Sequence, residues 1–248
     1  MNIIILYAVA LLATLASWLY ISNRKPSPAE AEESEVLTEE TEQPEEKEIQ
    51  EQEIPQKAQG GILKKPTGKQ GIFLGLMLLG LWVIAVVLEF VYESNTLLDN
   101  LKLITLLSLL FTAANIDAKE RVIPNKLVLA GLVLRVAFWV AELCTEPQTF
   151  LAVVKDNLVA CALVIAFFII GVLIIKDGLG MGDIKLMLVM CLFQGFYGVV
   201  SALFCALFVA FVYAIVVLSI RKKTRKDSVA FAPAILLGTM LSIFLTGM

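Results

Sequence analysis

The chain contains no histidine, which removes every mechanism that uses an imidazole as general base or metal ligand. Its four cysteines, Cys144, Cys161, Cys191 and Cys205, stand singly, with no C-x-x-C pair. Tetrahedral zinc sites draw on cysteine and histidine at short spacings, so neither a metal nor any other cofactor is expected. Charge is scarce as well: 17% of the 248 residues are charged and 58% are hydrophobic, with a mean hydropathy of +0.83. A water-soluble domain of this length cannot hide so much apolar surface, so lipid must solvate much of the chain. The net charge of −3 conceals an asymmetry, because about half of the 23 acidic residues fall between Glu30 and Glu53. Whatever chemistry occurs must come from carboxylates, hydroxyls, thiols or lysines, and no nucleic-acid partner is expected.

What is present in quantity is apolar sequence in runs near the roughly 20 residues that a bilayer-crossing helix needs. Eight spans are expected: Asn2 to Ile21, Gly71 to Tyr92, Leu97 to Ile116, Lys126 to Leu143, Leu158 to Ile175, Ile184 to about Phe193, Val199 to Ile220 and Val229 to Thr246. The sixth is short, about 15 Å of helix, and runs into the Gly195-Phe196-Tyr197-Gly198 turn. The fold class is therefore all-α, a polytopic membrane helical bundle. Residues 1–25 read as a retained N-terminal anchor helix, because the basic Arg24-Lys25 follows the apolar run instead of preceding it. Residues 26–70, rich in Glu, Gln, Pro and Lys, read as a disordered acidic linker, and 71–248 as the main membrane domain. The basic segments at Arg24-Lys25, Lys64 to Lys69, Lys119 to Lys126, Lys176 to Lys185 and Arg221 to Lys226 alternate with loops poor in Lys and Arg. Eight spans put all five on the cytoplasmic side and the N-terminus outside.

The acids that stand out in or beside the spans are Glu89, Asp117, Glu142, Asp177 and Asp183. An acid within a membrane helix is costly and suggests function by default. Glu89 and Glu142 lie near the outer ends of their helices and are expected to reach the interface. Asp117 closes the third span ahead of a basic stretch and Ile123-Pro124-Asn125; Pro124 suits the start of the next helix. Asp183 follows three glycines at alternate positions in Gly178-Leu179-Gly180-Met181-Gly182-Asp183, where a helix N-cap is its simplest structural role. By the topology both aspartates fall on the same side of the membrane. Carboxylates sharing a wet pocket there cannot both ionise cheaply, so one keeps its proton while the other activates water. That is peptide hydrolysis without histidine, metal or serine, and the two would titrate as a coupled pair.

These residues resemble the prepilin leader peptidases, membrane aspartyl proteases of the GxGD class. The first family motif is matched by Asp117, Arg121, Ile123, Pro124 and Asn125, the second by Gly180, Gly182, Asp183 and Lys185. A looser C-terminal signature is matched by Phe231-Ala232-Pro233 and Gly238. The resemblance spans roughly Gly71 to the end. It implies Asp117 and Asp183 as the catalytic pair and precursors of type IV pilins or pseudopilins as substrates. Their short basic leaders would be cut after a glycine at the cytoplasmic face of the inner membrane. Lys185 and Arg121 would orient the pair, anchor the motif turns, or serve only membrane topology. Many family members carry an N-terminal zinc-binding domain linked to methylation of the new pilin N-terminus. Here an anchor helix and the acidic linker stand in its place, so the resemblance supports the peptidase and offers no residues for a methyltransferase.

Presenilin or signal peptide peptidase shares Gly-x-Gly-Asp but normally has a tyrosine before its first aspartate, where this chain has Ile116. Archaeal preflagellin peptidases, which also lack the zinc domain, are a nearer relation. A proton-coupled transporter would place its carboxylates nearer the membrane midplane, and a non-catalytic scaffold for pilus assembly would tolerate their loss.

Overall fold

In hydrocarbon the backbone has no water to bond, so each apolar run must satisfy its own amides by coiling. The computed structural model describes residues 2–23, 68–92, 95–174, 180–221 and 231–247, and no strand occurs among them. The helices are α1 Asn2–Asn23, α2 Gly68–Phe90, α3 Leu97–Glu120, α4 Asn125–Thr145, α5 Pro147–Ile174, α6 Met181–Arg221 and α7 Ala232–Thr246. Segments of α1, α3, α4, α5 and α6 are long and apolar enough to cross a bilayer, while the apolar stretches of α2 and α7 are shorter. The protein is an all-α, multi-pass membrane bundle.

α6 is two helical arms joined at one residue. Gly195 has φ 68° and ψ −166°, a conformation essentially confined to glycine. Side-chain contacts give the direction of each arm. Before Gly195, Gly182 packs on Ile123 and Lys185 bonds Asn125, so this arm starts at the Asp117 end of the bundle. At the break, the Phe196 N–H donates to Asp156 near the start of α5. Beyond it, Ser201 bonds Ser242 and Ala206 faces Gly238, so the second arm runs antiparallel to α7. The chain reverses at Gly195, so the two arms of α6 run antiparallel to each other.

With that reversal, one end of the bundle collects Asn23, Gly68, the α3–α4 connection, and the ends of α5, α6 and α7 that flank the basic segments. The opposite end is closed by short links: Tyr92 O–H donates to the Phe244 carbonyl and Asn95 Nδ2 to that of Gly247. α3 is the central helix, with Ile104, Leu106, Leu107, Leu110 and Ala113 fully buried. α1 packs against α2 and α3, burying Leu6, Ala10, Thr14 and Ser17, and Thr112 Oγ1 donates to Ser17 Oγ at 2.8 Å. Small and hydroxylated residues allow such close helix contact in lipid, where apolar burial alone provides little drive. The N-terminal anchor is thus packed into the bundle.

Three expectations need correction. α5 begins at Pro147, well before Leu158, and α3 continues to Glu120, so Asp117 lies within its last turn instead of closing it. Glu142 does not reach the interface: it is buried, pairing with Lys102 from α3 and Arg135 from its own helix. Neither cation stands out in the sequence, because a helix that is apolar all round does not show which of its positions face another helix. The acidic linker, Asp177 and Gly178 lie outside the described residues.

Candidate active site

Asp117 sits one turn from the end of α3 and is buried. Its backbone carbonyl accepts the N–H of Arg121, whose left-handed conformation, φ 54°, ends the helix. Its carboxylate leaves α3 for a different partner. α7 begins at Ala232 behind the N-cap Phe231, which makes no side-chain capping bond, and Pro233 occupies the first turn. The orphan donors of a helix start need an acceptor. Asp117 Oδ2 supplies it, accepting the Ala232 N–H at 3.0 Å from 115 residues away in sequence. The Phe231 amide and the Arg121 charge also act on this carboxylate.

Asp183 lies in the first turn of α6, after Met181 and Gly182. Its N–H donates to the Gly180 carbonyl at 3.1 Å, so it is a helical residue rather than the N-cap. The two flanking glycines have separate physical roles. A Cβ on Gly182 would stand 3.0 Å from Cβ of Ile123, so its absence lets the two motif turns touch. A Cβ on Gly180 would stand 3.2 Å from Asp183 Oδ2, so its absence leaves room for the carboxyl.

The motifs are also joined directly. Lys185 Nζ donates to Asn125 Oδ1 at 2.9 Å, across 60 residues of sequence, and Pro124 (φ −67°) caps the helix that carries Asn125. Asp183 lies within electrostatic reach of Asp117. The structure therefore brings Asp117, Asp183, Gly180, Gly182, Lys185, Pro124 and Asn125 to one end of the bundle, with Pro233 one residue from the amide that holds Asp117. Arg121 is exposed and joins through its charge. Among the described residues, no three side chains of metal-ligating type converge.

Replacing Lys185 with Met keeps the stem and removes the bond to Asn125. If the paired aspartates are catalytic, the expected result is a roughly tenfold lower turnover per folded molecule with unchanged membrane insertion, about 1.4 kcal/mol of lost positioning. Insertion that inverts or fails would reassign Lys185 to topology.

The amide of Ala232 escaped the sequence reading. Its signal was available: a helix opening with Pro in its first turn and no Ser, Thr, Asp or Asn before it asks for an acceptor from elsewhere. Asn115, buried with an unpartnered Oδ1 two residues ahead of Asp117, was passed over as well.

Residues 104–215 match the profile of the type IV leader peptidase family. The matched segment starts on α3, includes Asp117 and Asp183, and ends in the second arm of α6; α1, α2 and α7 lie outside it. No curated protein and no solved structure matches the chain significantly.

Proposed function

We propose, on the premise that residues 104–215 belong to the type IV leader peptidase family, that this chain is a membrane aspartic endopeptidase with Asp117 and Asp183 as its catalytic pair. It would remove short basic leaders from type IV prepilins or pseudopilins. The observation that carries the reading is the joining of two distant motif turns by the Lys185–Asn125 bond and the Gly182–Ile123 contact, with an aspartate in each.

On this reading the two carboxyl groups act on one scissile bond as a coupled pair. The ionised member takes a proton from water as the oxygen adds to the scissile carbonyl, and the protonated member donates a hydrogen bond to the forming oxyanion. Collapse of the tetrahedral intermediate breaks the C–N bond, and the leaving amine takes up a proton from the pair. The Ala232 amide keeps Asp117 in place through the cycle.

The sequence places basic segments on the junctions at the Asp117 end, which supports a cytoplasmic site in the inner membrane with the N-terminus outside. A leader is polar and the following helix apolar, so its scissile bond lies where such a site opens. The acidic linker is a solvated spacer on this reading.

The test is co-expression with pilin-type precursors and, in parallel, with helical transmembrane stubs, reading leader removal by mass. Pilin-type leaders should be removed and the stubs left whole; the opposite result would move the chain to the presenilin-like class. Because the pair must hold one proton between its members, turnover should follow a bell-shaped pH profile. A flat profile from mildly acidic to alkaline pH contradicts a two-aspartate mechanism.

A further inference from the structure

Four charged residues lie at the end of the bundle opposite the aspartates, and the mechanism uses none of them. Lys102 Nζ donates to Glu142 Oε1 at 2.7 Å and pairs with Asp99 at 2.7 Å. Arg135 donates from Nη1 to Glu142 Oε1 at 2.9 Å and from Nη2 to Oε2 at 3.3 Å. Its guanidinium lies over Trp139 and Phe193, 5.3 and 5.8 Å from the ring centroids. Arg135 is 0% exposed. A buried ion pair in a membrane helix is costly to assemble and more costly to leave half made, so it persists where its geometry matters.

Its position shows what that geometry controls. α3 and α4 form a hairpin joined covalently only at residues 121–124, beside the aspartates. At the far end the chain leads away from both helices. α4 touches the bundle along a narrow stripe, its buried residues being Leu127, Gly131, Arg135 and Glu142. Much of its remaining surface is exposed, including Leu129, Val133, Val136 and Val140. Lipid wets such a surface as well as protein does, so apolar packing does little to fix the helix laterally. Polar contacts hold it at both ends: Asn125 with Lys185 near the aspartates, and Glu142 with Lys102 far from them.

We infer that Lys102, Glu142 and Arg135 form a clasp that closes the open end of the α3–α4 hairpin and thereby positions Ile123 and Asn125 against the Gly182–Lys185 turn. They are positioning residues, acting on the aspartates through α4 across about 26 Å of helix between Glu142 and Asn125. With the clasp broken, α4 pivots about residues 121–124, and the two motif turns separate. The link to cleavage rests on the protease reading; the link to geometry does not.

The test therefore has two readouts, both on the full-length chain in lipid. In a background with the four native cysteines replaced by serine, Asn125→Cys and Lys185→Cys report the motif contact through the rate of a short thiol cross-linker. Adding Glu142→Gln should slow cross-linking at least fivefold, and so should Arg135→Gln. In the otherwise native chain, the same single changes should lower kcat at least tenfold with KM within twofold, per folded molecule. The exchange of Arg135→Glu with Glu142→Arg should recover neither loss, because it sets a second cation against Lys102 and removes the acceptor that ties α4 to α3; recovery would overturn the clasp. Unchanged cross-linking in folded single variants would overturn the clasp, whatever happens to cleavage. A chain that cross-links as expected but cuts no leader in its native form would sink the protease reading and leave the clasp standing. Should a single variant fail to fold, Lys102→Met provides a milder break, and normal cross-linking in that variant would overturn the proposal too.

Discussion

Asp117→Asn and Asp183→Asn each remove leader cleavage, with an expected loss of at least about 10³-fold in turnover, the scale on which a positioned acid or base acts. The substitution keeps side-chain size while discarding both the negative charge and the ability to exchange a proton. At position 117 it separates chemistry from folding. The amide oxygen of Asn can still accept the Ala232 N–H that Asp117 accepts at 3.0 Å, so α7 keeps its cap and the bundle its core. Asp117→Ala loses that acceptor as well, and about 1 kcal/mol of further destabilisation is expected. The measurement is leader removal by mass beside the folded fraction in detergent. Either Asn variant cutting at the normal rate ends the two-aspartate assignment.

The second large effect is predicted far from any carboxylate. A Cβ on Gly238 would overlap the backbone N and Cα of Ala206 as well as its Cβ. Here α7 packs tightly on the second arm of α6, with which it shares an extensive interface. Gly238→Val must push the two helices apart, since backbone atoms cannot rotate away. A loss of about 3 kcal/mol or more is expected, read as a fall in melting temperature and in folded yield. Cleavage should fall with it, because α7 carries the Ala232 amide to Asp117. Combining Gly238→Ala with Ala206→Gly should not restore stability, since the overlap involves the main chain. Full rescue would mean that the helices are not packed this closely.

Much of the fold was readable because the deciding physics is local or periodic. The length of each apolar run, the alternation of basic and neutral junctions and the glycines beside Asp183 require no knowledge of neighbours. Even the reversal at Gly195 was marked, by a short apolar run ending in the Gly195-Phe196-Tyr197-Gly198 turn. Boundaries were less legible: α5 starts at Pro147 because Lys155, Asp156 and Asn157, which look like loop, are carried on a helix. There Asp156 accepts the Phe196 N–H beside the Gly195 break.

The pairing of side chains was less legible for a different reason. A helix in water declares its inner face by amphipathic pattern, whereas one in lipid is apolar all round and hides it. Sequence therefore could not say that Arg135, Lys102 and Glu142 converge, that Ser17 meets Thr112, or that Lys185 reaches Asn125. The resemblance to a peptidase family singled out Lys185, Asn125 and Pro233, yet gave no hint that Pro233 follows the amide holding Asp117.

Taken alone, the sequence determined that this is a multi-pass membrane protein with two aspartyl motifs beside basic segments, because hydropathy and charge act residue by residue. Tertiary structure decided that the motifs touch, that α7 presents its first amide to Asp117 and that a buried ion cluster closes the α3–α4 hairpin. Those outcomes depend on which faces of uniformly apolar helices meet, and only packing of the whole bundle selects them.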